Sequence, residues 1–179
     1  MTKNNGSAPL GIPVAAIITG SFLSGAMLSI SLITVPLLLD TNTSSAHMVV
    51  QWVRLYHYGH ILLPSLSVTT CLFYIYTARS KQNSSSIAHQ LFWNRYTRAG
   101  LVTVLMIPFT LMVMVPTNNT LFRLNEQMKA SGGGGDGIAN LESVQDLVRV
   151  WTKMHIGRSL FPLLGAVLGI RALLEEGRA

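Results

Sequence analysis

From Leu10 to Leu39 no residue carries a formal charge, and Asp40 ends the run. A helix needs roughly 20 mostly apolar residues to cross the hydrocarbon core of a bilayer, so this stretch alone predicts a membrane span. Two more follow. Leu55 to Ala78 is uncharged apart from histidine protons and is closed by Arg79 and Lys81; Ala99 to Phe122 is uncharged between Arg98 and Arg123. A fourth run, Ser159 to Ile170 between Arg158 and Arg171, is too short to span by itself. It becomes long enough if the helix starts near Ser143, where Ser143-Val144-Gln145-Asp146 has capping-box spacing, and carries Lys153, His155 and Arg158 towards the membrane.

Only 11% of the residues are charged, against about 25% in a soluble domain that must cover its surface. The expected fold is therefore all-α: one integral membrane four-helix bundle over residues 1–179, with spans at roughly 11–39, 55–78, 99–117 and 150–173 and short flanking amphipathic helices. The first span is read as a retained helix, because no small-residue cleavage site follows it. The net charge of +6 does not point to nucleic acid, since the basic residues form no stripe interleaved with aromatics. They flank membrane spans instead. Arg79, Lys81, Arg95 and Arg98, with no acid among them, place the loop after span two and both termini in the cytoplasm. Asn83 to Ser86 marks that loop as exposed, and Ser131 to Gly137 is a glycine-rich connection. The lone Cys71 forms no intrachain disulfide and reads as a packing residue.

Small residues at Gly165 and Gly169, and at Ser21, Gly25 and Ser29, have the four-residue spacing that lets membrane helices approach closely. Met106, Met112 and Met114 read as packing or lipid-facing groups, and His47 and His89 as solvated loop residues. Trp52 and Trp151 fit an aromatic belt at one interface. Asn42 and Asn118 begin Asn-x-Ser/Thr sequons on the side opposite the basic loop.

In an antiparallel four-span chain, span two starts, span three ends and span four starts at one membrane face. His57 and His60, Asn118 and Asn119, and His155 and Arg158 thus come from three segments to a common level. His57 and His60 share a helix face, and Trp151, His155, Arg158 and Pro162 form one stripe. Ionisable groups inside a span usually face the bundle interior or a wet cavity. The plainer readings are that the histidines snorkel or pack, and that Asn118 and Asn119 cap a helix running from Thr120 to Met128.

These residues also carry a resemblance. Trp151-x-x-x-His155-x-x-Arg158 with Pro162, Pro116-Thr117-Asn118-Asn119 with Leu121, Tyr56-x-x-Gly59-His60 with Pro64, and the opening Gly11-Ile12-Pro13 together resemble the small four-helix membrane proteins that include the fungal anthrone oxygenases. The resemblance covers nearly the whole chain and is weakest in the glycine loop. It implies oxidation of a polyketide anthrone to an anthraquinone by molecular oxygen in fungal secondary metabolism, in the endoplasmic reticulum or a related endomembrane, without an organic cofactor. No dinucleotide fingerprint and no haem-attachment motif is present, in keeping with that.

On this reading His155, with His60 as rival, takes the acidic methylene proton, Arg158 pairs with the enolate oxygen, and Asn118 donates to the same oxygen or to a phenol. His57, Asn119, Trp151 and Tyr56 are assigned to substrate binding. A weaker alternative makes His57, His60 and His155 a copper or iron site. The competing function is a non-catalytic four-span scaffold or small-solute transporter. The expected partners are a small aromatic polyketide and the bilayer, and self-association is compatible with the sequence.

Overall fold

A computed structural model describes residues 10–82, 92–131 and 137–178. The Asn83–Ser86 loop, His89 and residues 132–136 of the glycine-rich connection lie outside them. Four helices are long and apolar enough to cross a membrane: α1 Gly11–Thr41, α2 Ser45–Gln82, α3 Trp93–Ala130 and α4 Leu141–Glu176. No strand occurs among the described residues. The short flanking helices expected are not separate among the described residues: the polar ends run on within the same four helices. Large apolar side chains such as Ile18, Phe22, Leu72, Leu111 and Met112 are exposed, which suits a lipid surround and not water.

Helix starts follow local chemistry. The Ser44 hydroxyl accepts the His47 N–H at 3.2 Å, and Asn140 Oδ1 accepts the Ser143 N–H at 2.8 Å, the N-cap bond that relieves orphan amides. The cap of α4 is therefore Asn140 and not Ser143, because Leu141 already lies inside the helix. Asn118 and Asn119 cap nothing; both lie within the helical stretch Val115–Ala130.

Two helices contain a widened, π-helical turn, Ile30–Thr34 in α1 and Thr110–Met114 in α3. Each is followed by Val-Pro, at Val35-Pro36 and Val115-Pro116. Proline has no N–H to give the carbonyl four residues earlier, and its ring crowds that carbonyl. The chain responds by opening the turn: Val35 N–H reaches Ile30 O and Val115 N–H reaches Thr110 O, each five residues back. Such turns recur at functional sites.

The chain divides into two compact units, each drawing a segment from every helix. The first takes its described residues from Met1–Gly25, Pro64–Met106 and Ser159–Ala179; the second comprises Ala26–Leu63 and Ile107–Arg158.

In the first unit, backbones approach closely through missing side chains. A Cβ on Gly165 would stand 2.8 Å from Ala99 O and also collide with Thr103, and one on Gly169 would stand 2.8 Å from the Tyr74 ring. Tyr74 Oη donates to Gly165 O at 3.3 Å, Ser24 Oγ to Ser159 O at 3.0 Å and Ser67 Oγ to Thr103 O at 3.1 Å. Interhelical bonds of this kind contribute about 0.6 kcal/mol each in a bilayer, so shape carries most of the packing. Lys81 pairs with Glu176, which also accepts from Tyr96 Oη at 3.0 Å. Ser21, Gly25 and Ser29 do not pack: all three are exposed, and nothing lies within 4 Å of a Cβ built on Gly25. The inward pair on α1 is Gly20 and Ser24, one position out of phase with the expected set.

In the second unit the core is aromatic. Trp52 lies edge-on to Trp151, with ring centres 5.8 Å apart, and meets Phe122 at 5.3 Å and Tyr56 at 5.5 Å. Both tryptophans are buried, so they form no interfacial belt. Their partners pull them inward, since an indole gains more from ring contacts than from a headgroup when another helix offers them. Asn42 is also buried, and its side-chain nitrogen donates to Leu38 O and Gln51 Oε1, both at 2.7 Å. His47 is exposed but helical, within hydrogen-bond reach of Gln51.

A buried histidine–arginine pair as the candidate active site

The α4 stripe Trp151, His155, Arg158 turns one face towards the core of the second unit. Steps of four and three residues bring successive side chains to one side of a helix. Trp151 and His155 stack obliquely, ring centres 4.6 Å apart. His155 is 1% exposed, so its two ring nitrogens have to be satisfied within the protein.

They are. Arg158 Nη2 lies 3.0 Å from His155 Nε2, and Ser31 Oγ lies 3.0 Å from His155 Nδ1. A guanidinium has donors only. Nε2 must therefore accept, which leaves the proton on Nδ1, donated to Ser31 Oγ. The contacts thus select one neutral tautomer, whose lone pair faces a cation. Arg158 Nη1 donates to Thr110 Oγ1 at 3.1 Å.

Ser31 and Thr110, the two hydroxyl residues that hold the pair, both sit in the π-turns. Neither was among the expected site residues. A serine in an apolar helix reads as a packing residue, and the only sequence sign of its role is the Val-Pro that follows each widened turn at the same distance.

The remaining expected residues fall into two groups. Tyr56 joins the aromatic core, 5.0 Å from Phe122. Asn118 is 2% exposed in the same unit, with Oδ1 lacking a hydrogen-bond partner. It makes no hydrogen bond to His155 or Arg158 among the described residues. The indole nitrogens of Trp52 and Trp151 and the Nε of Arg158 are likewise buried without partners.

His57, His60 and Asn119 stand on exposed faces. His60 Nδ1 donates to His57 O at 2.7 Å, and its ring stacks on Tyr56 at 5.6 Å. His60 makes no hydrogen bond or ring contact with His155 among the described residues; its stacked partner Tyr56 joins the aromatic core that reaches Trp151 and His155. Among the described residues, no three His, Cys, Asp or Glu side chains are grouped so as to hold a metal ion, and the three-histidine arrangement is not assembled.

The arrangement combines a neutral imidazole, a guanidinium bonded to it and buried aromatic rings with unmet N–H donors.

Known proteins resemble the chain over most of its length. A family model described as anthrone oxygenase matches residues 52–168, a stretch that contains Trp52, Tyr56, His60, Asn118, His155 and Arg158. The chain is 45% identical to the anthrone oxygenase dmxR16 of Cryptosporiopsis sp., over 98% of this chain and 96% of that protein. It is 48% identical to the anthrone oxygenase AgnL2 of Paecilomyces divaricatus, over 86% and 90% respectively. With the monooxygenase hypC of Dothistroma septosporum it shares 39% identity over 95% of this chain and 86% of that one. No solved structure matches. A fold of four membrane-crossing helices, a family match over most of its length and relatives of the same size place the chain in one group: it belongs to the anthrone oxygenase family.

Proposed function

We propose that this chain oxidises a polyketide anthrone to the anthraquinone with dioxygen, within an endomembrane such as the endoplasmic reticulum. The single observation that supports the site is the tautomer of His155, a buried neutral imidazole whose Nε2 lone pair faces Arg158.

The chemistry closes without an external reductant. Turning the anthrone methylene into a carbonyl removes four electrons. Dioxygen takes up four, placing one oxygen atom in the carbonyl and the other in water. His155 Nε2 takes the first methylene proton, and the anthrone becomes an electron-rich enolate. That anion passes one electron to dioxygen, and the resulting radical pair couples to form the carbon–oxygen bond. The imidazolium returns its proton to the peroxide. Loss of the second methylene proton, with cleavage of the oxygen–oxygen bond, releases water and leaves the quinone. No organic cofactor enters.

Arg158 has two places to be. In the free protein it covers the Nε2 lone pair. When a substrate oxygen arrives, one Nη group moves to it, and the same motion uncovers the base. Ionisation of the methylene and stabilisation of the anion are then one event, in a site where few water molecules compete for the charge. Asn118 and the two indole N–H groups donate to substrate phenols and carbonyls, and Trp151 and Tyr56 provide flat walls. His57, His60 and Asn119, on exposed faces, meet a substrate arriving from lipid, with His60 the alternative base.

Membranes containing the protein are incubated with an anthrone under air and under nitrogen. Oxygen-dependent quinone above the spontaneous rate, lost in His155→Ala and Arg158→Ala variants that still insert, is the expected result. Full turnover by both variants refutes the assignment. Turnover that survives strong chelator separates it from the copper or iron reading.

A further inference from the structure

A second polar feature lies within the first unit. Arg95 and Arg98 in the first turns of α3 and Arg171 near the end of α4 line a cleft of about 240 Å3, with Leu168 and Ala172 as its apolar wall and Glu175 at its edge. Arg95 is already engaged, by Glu175 and by the face of Phe92, 5.3 Å from its guanidinium. Arg98 and Arg171 have no anionic partner among the described residues. With three cations against one carboxylate, the cleft has charge left over, and two guanidinium forks are free to supply it.

Its depth is set by the sequence. Arg98 marks the start of the uncharged run that ends at Phe122, and Arg171 marks the end of the run from Ser159. Both therefore stand where hydrocarbon gives way to headgroups. This is the side carrying Arg79 and Lys81, which the charge asymmetry assigns to the cytoplasm, where anionic lipids are concentrated. A carboxylate ligand would be met by one fork, whereas phosphate oxygens can engage two forks at once.

We propose that this cleft is a phosphate-binding site, filled from the bilayer by the phosphate of an anionic lipid, with the acyl chains running beside Leu168 and Ala172. Arg98 and Arg171 grip the phosphate, and Arg95, held by Glu175, shapes the rim. The site stands apart from the oxygenase reading, and either can fail without the other.

The test uses the purified full-length protein in detergent, titrated separately with phosphatidic acid, phosphatidylcholine and inorganic phosphate while bound species are followed by native mass spectrometry. Phosphatidic acid should bind more tightly than phosphatidylcholine. Arg98→Gln and Arg171→Gln should each weaken it about fivefold and the pair about thirtyfold, the worth of one basic residue at a membrane surface applied once and twice. Arg149→Gln, which removes a cation paired with Asp146 elsewhere, should leave the affinity unchanged. The melting temperature without lipid checks folding. Should the double variant not fold, the Arg98→Lys/Arg171→Lys pair keeps the charge, loses the fork and is expected to fall in between. If inorganic phosphate binds as tightly and with the same sensitivity, the site is real and its ligand comes from water. Phosphatidic acid binding that survives both substitutions, or that equals phosphatidylcholine binding, overturns the proposal.

Discussion

If His155 and Arg158 act as one device, removing both should cost little more than removing the worse one. The structure gives the reason: the two side chains share a hydrogen bond, Nη2 to Nε2 at 3.0 Å, and each works on what the other produces. Without His155, Arg158 keeps its bond to Thr110 but has almost no enolate to stabilise. Loss of a positioned general base typically costs about 10²–10⁴ in rate. Without Arg158, His155 keeps its bond to Ser31 and its lone pair is permanently uncovered, but the anion it forms is unsupported. Loss of such a donor costs about 10²–10³.

Independent contributions would multiply to a loss of at least about 10⁴. A joined device leaves the His155→Ala/Arg158→Ala variant near the His155→Ala level, a coupling of about 3 kcal/mol, at the upper end for residues in direct contact. The assay is the initial rate of quinone absorbance in proteoliposomes at matched protein content, with the nitrogen and protein-free backgrounds subtracted. Multiplying losses would refute the shared mechanism, and an unchanged rate in either single variant would remove that residue from it.

Three further outcomes follow from other contacts. Ser31→Ala strands the Nδ1–H of a buried ring, so stability should fall by about 1–3 kcal/mol and turnover with it, while Ser31→Thr keeps a hydroxyl and most of both; equal melting temperatures for Ser31→Ala and the parent would contradict the bond. Gly165→Ala should lower the melting temperature by an amount equivalent to about 1–3 kcal/mol, because its Cβ meets Ala99 O at 2.8 Å, whereas Gly25→Ala, with nothing within 4 Å, should not; the reverse order would mean the α4 face is misassigned. Glu176→Gln leaves the Lys81 ammonium, its side chain 8% exposed, without a counter-charge, and about 3 kcal/mol of stability should go, recovered in part by Lys81→Met in the same chain; thermal denaturation in detergent decides.

Reading α1 to α4 from the sequence required only one physical fact, the cost of an unpaired charge in hydrocarbon. Asp40, Arg79 and Lys81 lie within three residues of the ends of α1 and α2, while Arg98, Arg123 and Arg171 lie five to seven residues inside the ends of α3 and α4. The same cost also singled out His155 and Arg158, two polar groups that an apolar helix would not carry without reason. Which way a face points was less legible. In lipid both sides of a helix are apolar, so the alternation that betrays a soluble core is missing. Ser21, Gly25 and Ser29 have the same spacing as Gly20 and Ser24, and only the neighbouring helix distinguishes them. Trp52 and Trp151 have the composition of a belt and the contacts of a core. Ser31 and Thr110 were out of reach for a different reason: hydroxyl groups are common in membrane helices, and their roles here depend on turns whose geometry is set by Pro36 and Pro116, not by the hydroxyls.

The widened turns also make the count of residues matter in the middle of a membrane, where hydropathy alone would tolerate a change. Each holds one amino acid more than a regular coil of the same height. Deleting any one of Leu32, Ile33 or Thr34 would restore the regular coil while keeping a span of adequate length and greasiness. Val35 N–H would then reach the same Ile30 O as an ordinary four-residue bond, so Val35, Leu38 and Asn42 would keep their faces, whereas a deletion from a regular stretch would swing them by about 100°. A one-residue shortening here would thus spare both the bilayer fit and the packing beyond the turn, and would be felt where Ser31 meets His155.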